Sequence, residues 1–345
     1  MVTLRELAER TGYSPATISR ILNGDPSLSV TQEARKRVLE AAGSLNYAEM
    51  RSRRGRPSKR GLRIALAEML SPAEQLADPY YLYLSGYIRQ LCLAGKHTCI
   101  PLERRGALFF SPEEPAPDGI IAIGLFTPAQ IQSLQAICET IVFVNSSPME
   151  SKFDSVVFNH PLGVSLAIEH LTDLGHRDIG FLGPVQRQND QGQQSLEIRR
   201  QAFEHQMGAM GLLRPNFLLD CPMDAQAAAN TMSLFWDSGH AMPTAVLCAN
   251  EECAIGAARA LRGKGVAIPD DLSLLSFNNT PRSALVDPPL TSISIDMEEM
   301  ARAALRMLPE RLNVQDRKAV RALPLKVVIP PTLVVRNSTA PPWEH

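Results

Sequence analysis

The spacing of apolar residues changes near residue 60 of the 345-residue chain. Before this point, apolar residues recur every three or four positions, as on one face of a helix. Beyond it, short apolar runs alternate with amphipathic stretches, a pattern typical of βα units and parallel sheets. We therefore expect a small helical head followed by an α/β body of two lobes. The apolar runs that we expect to form strands include residues 62–70, 119–126, 140–146, 178–183, 244–250 and 272–277.

Start and stop signals in the head predict three short helices. Thr3 followed by Glu6 predicts a capping box at the first helix. Ser14 is placed as the N-cap of the second helix, with Pro15 at its first position, where the missing N–H costs nothing. Gly12 supplies the tight turn between these two helices. We expect helices over about 4–10 and 15–22, and a third after Thr31 in which Ala34, Val38, Ala41 and Leu45 repeat at helical spacing.

A helix, a glycine turn and a second helix form the helix-turn-helix pattern, whose second helix lies in the major groove of DNA. An ordinary three-helix fold without DNA contacts is the alternative interpretation. In the first interpretation, Ala16, Thr17 and Arg20 approach base edges, and Pro15 and Ala16 offer only apolar contacts. The other candidates contact phosphates or cap helices. The DNA-binding residues predicted in the head are Thr3, Ser14, Pro15, Ala16, Thr17, Arg20 and Asn23.

The net charge of −1 combines a basic head with an acidic body. Residues 1–61 carry 12 Lys and Arg against 6 Asp and Glu, whereas the rest of the chain carries 23 against 30. This division is expected of a small nucleic-acid-binding module joined to a domain with another role. A charge run alone is more often a solvated face, so the charge supports the helix-turn-helix interpretation without establishing it.

Two stretches of the head, TLRELAERTGYSPATISRILNG at 3–24 and ARKRVLEAAGSLNY at 34–47, resemble the head of the LacI/GalR transcriptional repressors nearly position for position. In the body, segments 166–184, 243–279, 288–295 and 331–339 are similar to the effector-binding core of that family. The resemblance implies a regulator that binds operator DNA and a small-molecule effector. It also implies a helix-turn-helix head and a periplasmic-binding-protein-like α/β core of two doubly wound lobes.

The domain boundaries follow from this resemblance. We expect a DNA-binding domain at 1–48, a basic hinge at 49–61, an effector-binding core at 62–338 and a tail at 339–345. The N-lobe is expected at about 62–158 and 293–322 and the C-lobe at about 161–289 and 326–338, with crossings near 158–161, 289–293 and 322–326. One helix-turn-helix buries too little surface to be selective alone, and the tail holds no leucine heptad, so we expect a homodimer.

Polar residues just past apolar runs are candidates for a ligand site, because open α/β sheets bind ligands at the carboxyl ends of their strands. Asn145, Asn250 and Asn278 each end such a run, and the resemblance implies that they face the effector together with Arg199. Amides both donate and accept hydrogen bonds, and arginine binds paired oxygens, which suits a sugar. The resemblance implies further effector contacts for Tyr80, Tyr81, Arg104 and Glu252.

Two features of the sequence bear on the identity of the effector. Sugar-binding relatives commonly have aspartate at the positions of Asn145 and Asn278, where this chain has amides. The motifs DPSLSV at 25–30 and DPYY at 78–81 make the chain look nearest to the Ebg-type repressors of β-galactoside genes, and this resemblance implies a galactoside-like sugar. The sequence leaves open whether the effector releases the operator or, as a corepressor, strengthens its binding, because linkage permits either sign.

Residues 51–61, RSRRGRPSKRG, hold six basic side chains where the family has a hinge that inserts a leucine into the minor groove. This stretch contains no leucine. Gly55 weakens a helix and Pro57 favours an extended Arg56, so a helix should end by about residue 54. The Arg-Gly-Arg-Pro sequence is similar to an AT-hook core. We expect Arg53, Arg54, Gly55 and Arg56 to bind the minor groove, with a flexible basic tether as the alternative.

Other functions lack support in the sequence. The chain has no HExxH, GxSxG, Walker lysine loop or GxGxxG motif, so we expect no enzyme. Its six cysteines lack metal-ligand spacing, and we expect neither a metal nor a cofactor. No run approaches the about 18 apolar residues of a membrane span, and no signal segment is apparent. We therefore expect a cytoplasmic protein without membrane contacts, which disfavours a periplasmic sugar-binding protein of the same fold.

Overall fold

The structure is a computed structural model that describes residues 4–22, 30–44, 61–106, 108–112, 114–188, 193–312 and 321–343. The chain divides into two compact units, residues 1–60 and 61–345, called the head and the core below.

The described residues of the head form three helices, α1 (Leu4–Thr11), α2 (Pro15–Leu22) and α3 (Gln32–Ser44). Ser14 caps α2 as predicted, because its hydroxyl accepts the Thr17 backbone N–H at 3.1 Å. Thr31 caps α3 in the same way through the Ala34 N–H at 3.2 Å. The apolar faces of the three helices meet in a small core of Leu7, Ile18, Ile21, Val38 and Ala42.

The core alternates strands and helices along the chain, which confirms the α/β prediction. None of its described helices, nor those of the head, is long and apolar enough to cross a membrane. Its described elements are, in chain order, β1 (Arg63–Glu68), α4 (Pro72–Ala77), α5 (Pro79–Ala94), β2 (Thr98–Pro101), β3 (Glu103–Arg105), β4 (Leu108–Phe110), β5 (Gly119–Ile123), α6 (Pro128–Ile137), β6 (Ile141–Val144), β7 (Asp154–Phe158), α7 (His160–Asp173), β8 (Ile179–Leu182), β9 (Gln186–Gln188), β10 (Gln194–Leu196), α8 (Ile198–Ala209), β11 (Leu218–Leu219), α9 (Ala225–Asp237), β12 (Ala245–Cys248), α10 (Glu251–Gly263), β13 (Ser273–Asn278), β14 (Thr291–Ser294), α11 (Met297–Arg311), β15 (Lys326–Ile329) and β16 (Thr332–Val334).

Two sheets of six described strands form the two lobes. The N-lobe sheet has the order β15-β7-β6-β5-β1-β2, and all of its strand pairs are parallel. The C-lobe sheet has the order β11-β8-β12-β13-β14-β16, and only its last described pair, β14 with β16, is antiparallel. Helices cover these sheets, which explains why β5, β6, β8 and β12 are buried along their whole lengths. The antiparallel hairpins β3–β4 and β9–β10 form separate two-stranded sheets.

The described chain crosses between the lobes after β7, after β14 and after β15. The first crossing lies where the sequence predicts it, but the other two predicted positions are wrong. Strand β14 pairs with β13 in the C-lobe, with Ser292 opposite Ser276, so the second crossing follows residue 294 and not 289–293. Strand β15 pairs with β7 in the N-lobe, so the third crossing follows residue 329 and not 322–326. A short apolar run does not reveal which distant strand it will pair with.

A buried carboxylate ties the edge strand β15 to the N-lobe sheet. Asp154 begins β7 and is only 1% exposed. The Arg321 guanidinium donates to both of its oxygens, at 2.8 and 2.6 Å, and the Leu325 backbone N–H donates to Oδ1 at 2.8 Å. The segment that leads into β15 is therefore held to the start of β7 by three hydrogen bonds to one side chain.

We expect Asp154→Ala to lower the free energy of unfolding of the core by about 3 kcal/mol, because it removes one partner of a mostly buried ion pair. Urea unfolding of the full chain, followed by circular dichroism, measures this change. Glu298→Ala is the control, since it removes an exposed pair with Arg302 that is worth less than about 1 kcal/mol. Equal losses in the two variants would contradict the role given to Asp154.

Candidate functional site

Helix α2 presents the predicted DNA-contacting residues of the head at its surface. Ser14, Pro15, Ala16 and Arg20 are exposed and Thr17 is half-buried. Because Ala16 and Arg20 are four positions apart and Thr17 and Arg20 three, these three side chains share one face of the helix. The opposite face buries Ile18 and Ile21 in the head core. The other predicted DNA contacts lie outside the described residues and stay predictions: Thr3, Asn23, Arg53, Arg54, Gly55 and Arg56.

The core brings six of the eight predicted effector-contacting residues around one small cavity between the lobes, called the interlobe cavity below. Tyr80, Tyr81 and Asn145 reach it from the N-lobe, and Arg199, Asn250 and Asn278 reach it from the C-lobe. Its volume is about 20 Å³, enough for about one water molecule. The eleven described residues that line it are Asp78, Tyr80, Tyr81, Asn145, Phe158, His160, Arg187, Arg199, Met223, Asn250 and Asn278.

Strand polarity explains why the asparagines meet here. Asn145 directly follows β6 and Asn278 ends β13, and both strands are parallel members of their sheets, so the carboxyl ends of the two sheets bring these side chains to the cavity. Both residues turn the chain out of its strand with a positive φ, 70° at Asn145 and 92° at Asn278. Asparagine tolerates this left-handed conformation better than most residues.

A chain of hydrogen bonds joins the two lobes across the interlobe cavity. The Tyr80 hydroxyl donates to Asn145 Oδ1 at 3.3 Å, and Asn145 Nδ2 donates to the Tyr81 hydroxyl oxygen at 3.1 Å. The same oxygen accepts a hydrogen bond from Arg187 Nη2 of the C-lobe at 3.2 Å. The lobes are therefore in direct polar contact in this conformation.

Arg199 is held firmly inside the C-lobe. Its Nε donates to Glu197 Oε1 at 2.8 Å, its Nη1 donates to the Ala249 carbonyl at 2.6 Å, and its Nη2 lies 3.3 Å from Met223 Sδ. Its guanidinium also lies over the Phe277 ring, 5.7 Å from the ring centroid. These contacts use much of the donor capacity of Arg199, so it supports the cavity wall in addition to lining it.

Asn250 has a similar double position. Its Oδ1 caps α10 by accepting the Cys253 N–H at 2.9 Å, and its Nδ2 donates to the Met223 carbonyl at 3.3 Å. Met223 itself lines the cavity. Both polar atoms of the Asn250 side chain, which is predicted to contact the effector, thus also form hydrogen bonds within the protein.

Two predicted residues do not line the interlobe cavity. Arg104 lies on the exposed strand β3, where it donates to the Met69 carbonyl and pairs with Glu74 at 3.5 Å. Glu252 is buried on the first turn of α10 and pairs with Arg282. Burial raises the pKa of Glu252 to about 6, against the opposing charge of Arg282. For both residues, the prediction of an effector contact is not supported by the geometry.

Sequence reasoning missed five lining residues, three of them ionisable: Asp78, Phe158, His160, Arg187 and Met223. Burial raises the pKa of Asp78, while the charge of Arg187 lowers it. Burial, and then the charges of Arg199 and Arg187, lower the pKa of His160 well below its usual value, so this ring is neutral. Two signals were available: His160 lies in the predicted first crossing, and Arg187 belongs to the polar stretch that follows β8. No three His, Cys, Asp or Glu side chains form a metal-binding group in the described residues.

A larger cavity of about 600 Å³ also lies in the core, with Tyr83, Asn279 and Arg336 in its lining. None of the eight predicted effector residues, all of which are described, belongs to that lining. The convergence of side chains with suitable chemistry therefore identifies the interlobe cavity, and not the larger one, as the candidate site.

Comparison with known proteins finds family matches in both the head and the core. Residues 3–49 match the model of the bacterial regulatory proteins of the lacI family, and residues 168–339 match a periplasmic binding protein-like domain. The transcriptional regulator GanR of Bacillus subtilis (strain 168) is 32% identical over 342 residues, which cover 98% of this chain and 99% of GanR. The transcriptional repressor MelR of the same organism is 31% identical over 344 residues, 98% of this chain and 97% of MelR.

A solved structure shares the fold along almost the whole chain. The lac repressor dimer bound to operator and the anti-inducer ONPF superimposes with a TM-score of 0.59, at 24% identity, over 98% of this chain and 99% of that one. At this identity, the similarity to the lac repressor dimer supports the fold alone. The identities of GanR and MelR are high enough to show the family to which the chain belongs. The chain belongs to the lacI family of bacterial regulatory proteins, and it is a DNA-binding transcriptional regulator rather than an enzyme.

Proposed function

We propose that the chain is a repressor that binds a pseudo-palindromic operator as a homodimer and leaves it when a small, galactoside-like sugar binds between the lobes. The main support is that Tyr80, Tyr81 and Asn145 of one lobe and Asn278 of the other line the same cavity. A ligand shifts a conformational equilibrium only if it binds the two states with different affinity. Contacts from both lobes provide that difference, because they are made or lost as the lobes move.

The lining has the chemistry of a sugar site. Tyrosine hydroxyls and asparagine amides can exchange hydrogen bonds with sugar hydroxyls, while Phe158 and Met223 offer apolar contact to the C–H face of a ring. The amides at 145 and 278 lack the charge that aspartates would supply. Asp78 introduces a carboxylate into the same cavity, and it can provide the charge-assisted hydrogen bond that the amides cannot.

The second candidate function has the opposite sign of regulation, in which the ligand strengthens operator binding. The Arg187–Tyr81 hydrogen bond joins the lobes directly, and a sugar that bridged the same groups would strengthen this arrangement instead of breaking it. Such a ligand would act as a corepressor if the joined lobes are the form that binds the operator. Operator affinity measured with and without the sugar distinguishes the two signs.

A thermal-shift screen of the full chain against galactose, galactosides and nucleobases tests the effector class, because a ligand at 100 times its Kd adds about 2.7 kcal/mol to the native state. We expect a galactoside to raise the melting temperature and to release a fluorescent operator. Asn145→Gly and Asn278→Gly should remove both responses while operator binding remains, because glycine keeps the positive φ and deletes only the side chain.

Asn279→Gly is the matched control for these variants. Asn279 also has a positive φ, of 52°, and it follows Asn278, but it does not line the interlobe cavity. It should keep the sugar response. Stabilisation by a nucleobase and not by any sugar would contradict the proposed effector, as would a full response in Asn278→Gly.

Under the DNA-binding proposal, Arg20→Ala should weaken binding to the operator more than binding to random DNA. We expect binding to weaken by about 1 to 3 kcal/mol on an operator selected from random DNA, because base contacts carry discrimination. The loss on random DNA should be smaller. Lys36→Ala, which removes an exposed charge on α3, should weaken both by similar amounts. Fluorescence anisotropy measures the affinities of the unmodified chain and of both variants for the two DNAs, and equal losses for Arg20→Ala on both DNAs would make Arg20 a phosphate contact.

From the sequence, we propose that the basic stretch 53–56 enters the minor groove at the operator centre. Changing the central steps from A·T to G·C should weaken binding by about 1 kcal/mol per step, because the guanine amino group blocks the groove floor. The bend at the centre should be smaller than with an inserted leucine, since unstacking produces the sharp kink. An unchanged preference in the variant Arg54→Lys with Arg56→Lys would reduce this stretch to a tether.

A further inference from the structure

Two cysteines of the N-lobe lie against each other where helix α5 ends. Cys92 is buried on the last turn of α5, and Cys99 is half-buried on strand β2. Their thiols are hydrogen-bonded to each other. Strand pairing explains this contact, because Cys99 lies opposite Ile64 of β1 and packs against the apolar core that contains Ile64 and Cys92.

The surroundings of Cys99 favour its thiolate form. The hydrogen bond from the Cys92 thiol, and then the charge of Arg89, lower the pKa of Cys99 to about 7, against the opposing effects of burial and of Glu68. The same hydrogen bond, together with burial, raises the pKa of Cys92, which therefore keeps its proton. Because the thiolate is the nucleophilic form of cysteine, Cys99 is the reactive member of the pair.

The other four cysteines each lack one of the features that the N-lobe pair combines. Cys138 is half-buried, but its thiol contacts backbone carbonyl oxygens at 3.5 and 3.8 Å instead of another thiol. Cys221 and Cys253 are hydrogen-bonded to each other, but both are buried. Cys248 is also buried, and burial raises its pKa. Only Cys99 is therefore a partly accessible thiol with a second thiol in contact.

We infer that Cys92 and Cys99 form a reversible oxidation site, in which Cys99 reacts with hydrogen peroxide and Cys92 then closes a disulfide. Redox-sensing cysteines commonly have this arrangement of an accessible thiolate beside a second, resolving thiol. The inference does not depend on which effector binds between the lobes, and its failure would leave the proposed function standing.

The reaction has two steps. The Cys99 thiolate attacks one oxygen of the peroxide, the O–O bond breaks and hydroxide leaves, so that Cys99 becomes a sulfenic acid. The Cys92 sulfur then attacks the sulfenic sulfur, and its proton leaves with the displaced hydroxyl group as water. The two thiols together lose two electrons, which reduce one hydrogen peroxide to two molecules of water.

The position of the pair allows the disulfide to close. Strand β2 ends the N-lobe sheet, and in the described part of the chain it pairs only with β1. A small shift of β2 toward α5 therefore disturbs one strand pair. Helix α5 also presents Tyr80 and Tyr81 to the interlobe cavity from its first turn. The disulfide thus restrains a helix that takes part in the contact between the lobes.

Peroxide treatment of the full chain, followed by peptide mapping without reductant, tests this inference. We expect one disulfide, between Cys92 and Cys99, which dithiothreitol reduces back to two thiols. Its rate of formation should rise as the pH is raised through about 7 and level off above, because the rate follows the thiolate fraction of Cys99. Both measurements use the unmodified chain, so they do not depend on the folding of a variant.

Two variants separate the roles of the two sulfurs. In Cys92→Ser, the serine hydroxyl can still donate to Cys99, and we expect a sulfenic acid at Cys99 that dimedone labels, without a disulfide. In Cys99→Ser, Cys92 should remain a thiol at the same peroxide concentration, because it is buried and protonated. Cys138→Ser is the matched control: it removes another half-buried thiol and should form the disulfide as rapidly as the unmodified chain.

Several results would overturn the inference. A disulfide between Cys221 and Cys253, or oxidation of Cys138 before Cys99, would show that access and thiolate character do not select the N-lobe pair. Accumulation of sulfenic or sulfinic acid at Cys99 in the unmodified chain would exclude Cys92 as the resolving thiol. A disulfide that joins Cys99 of two chains would assign the oxidation to a contact between molecules.

Discussion

The C-lobe half of the interlobe cavity depends on one buried ion pair. The Glu197 carboxylate accepts the backbone N–H groups of Arg199 and Arg200 at the start of α8, at 2.9 and 3.0 Å, and the Arg199 side chain as well. A buried charge is tolerated only when it is paired and hydrogen-bonded, so this geometry allows little variation. Through Arg199 the pair fixes the Ala249 carbonyl and Met223, and Asn250 continues the arrangement. The wall is thereby held in place by the protein's own contacts, which lowers the entropy lost on binding.

The two asparagines at the strand ends meet a backbone requirement and a chemical one with the same residue. A chain that leaves a strand with positive φ favours glycine or asparagine, and a ligand site needs a polar side chain at that point. Glycine would satisfy the first requirement alone. Aspartate would add a negative charge beside Asp78, which is half-buried and whose pKa is already raised by desolvation. Asparagine at 145 and 278 therefore keeps a second and a third carboxylate out of a cavity that admits little water, and Asp78 is the one carboxylate in its described lining.

Much of the fold could be read from the sequence because its signals are local. Ser14 and Thr31 mark helix starts through hydrogen bonds to residues three positions away, and short apolar runs mark strands. Asn145, Asn250 and Asn278 could be singled out because strand ends face one edge of a parallel sheet. The sequence did not reveal the lobes to which β14 and β15 belong, because this depends on pairing with strands that are distant in sequence. The polar stretch after β8 marks Arg187 as a candidate, but its contact with Tyr81 depends on how the β9–β10 hairpin meets the other lobe, which is distant in sequence.

The Arg187–Tyr81 contact has a consequence for how the regulator reports concentration. A sugar cannot enter a space of about 20 Å³, so it must bind lobes that have moved apart. The apparent Kd of a ligand rises as the competent fraction of the protein falls. Under the proposed function, a hydrogen bond that joins the lobes therefore sets the effector level at which transcription responds. Substitutions at Arg187 or Tyr81 would then shift the dose–response curve along the concentration axis while the other side chains that line the cavity stay as they are.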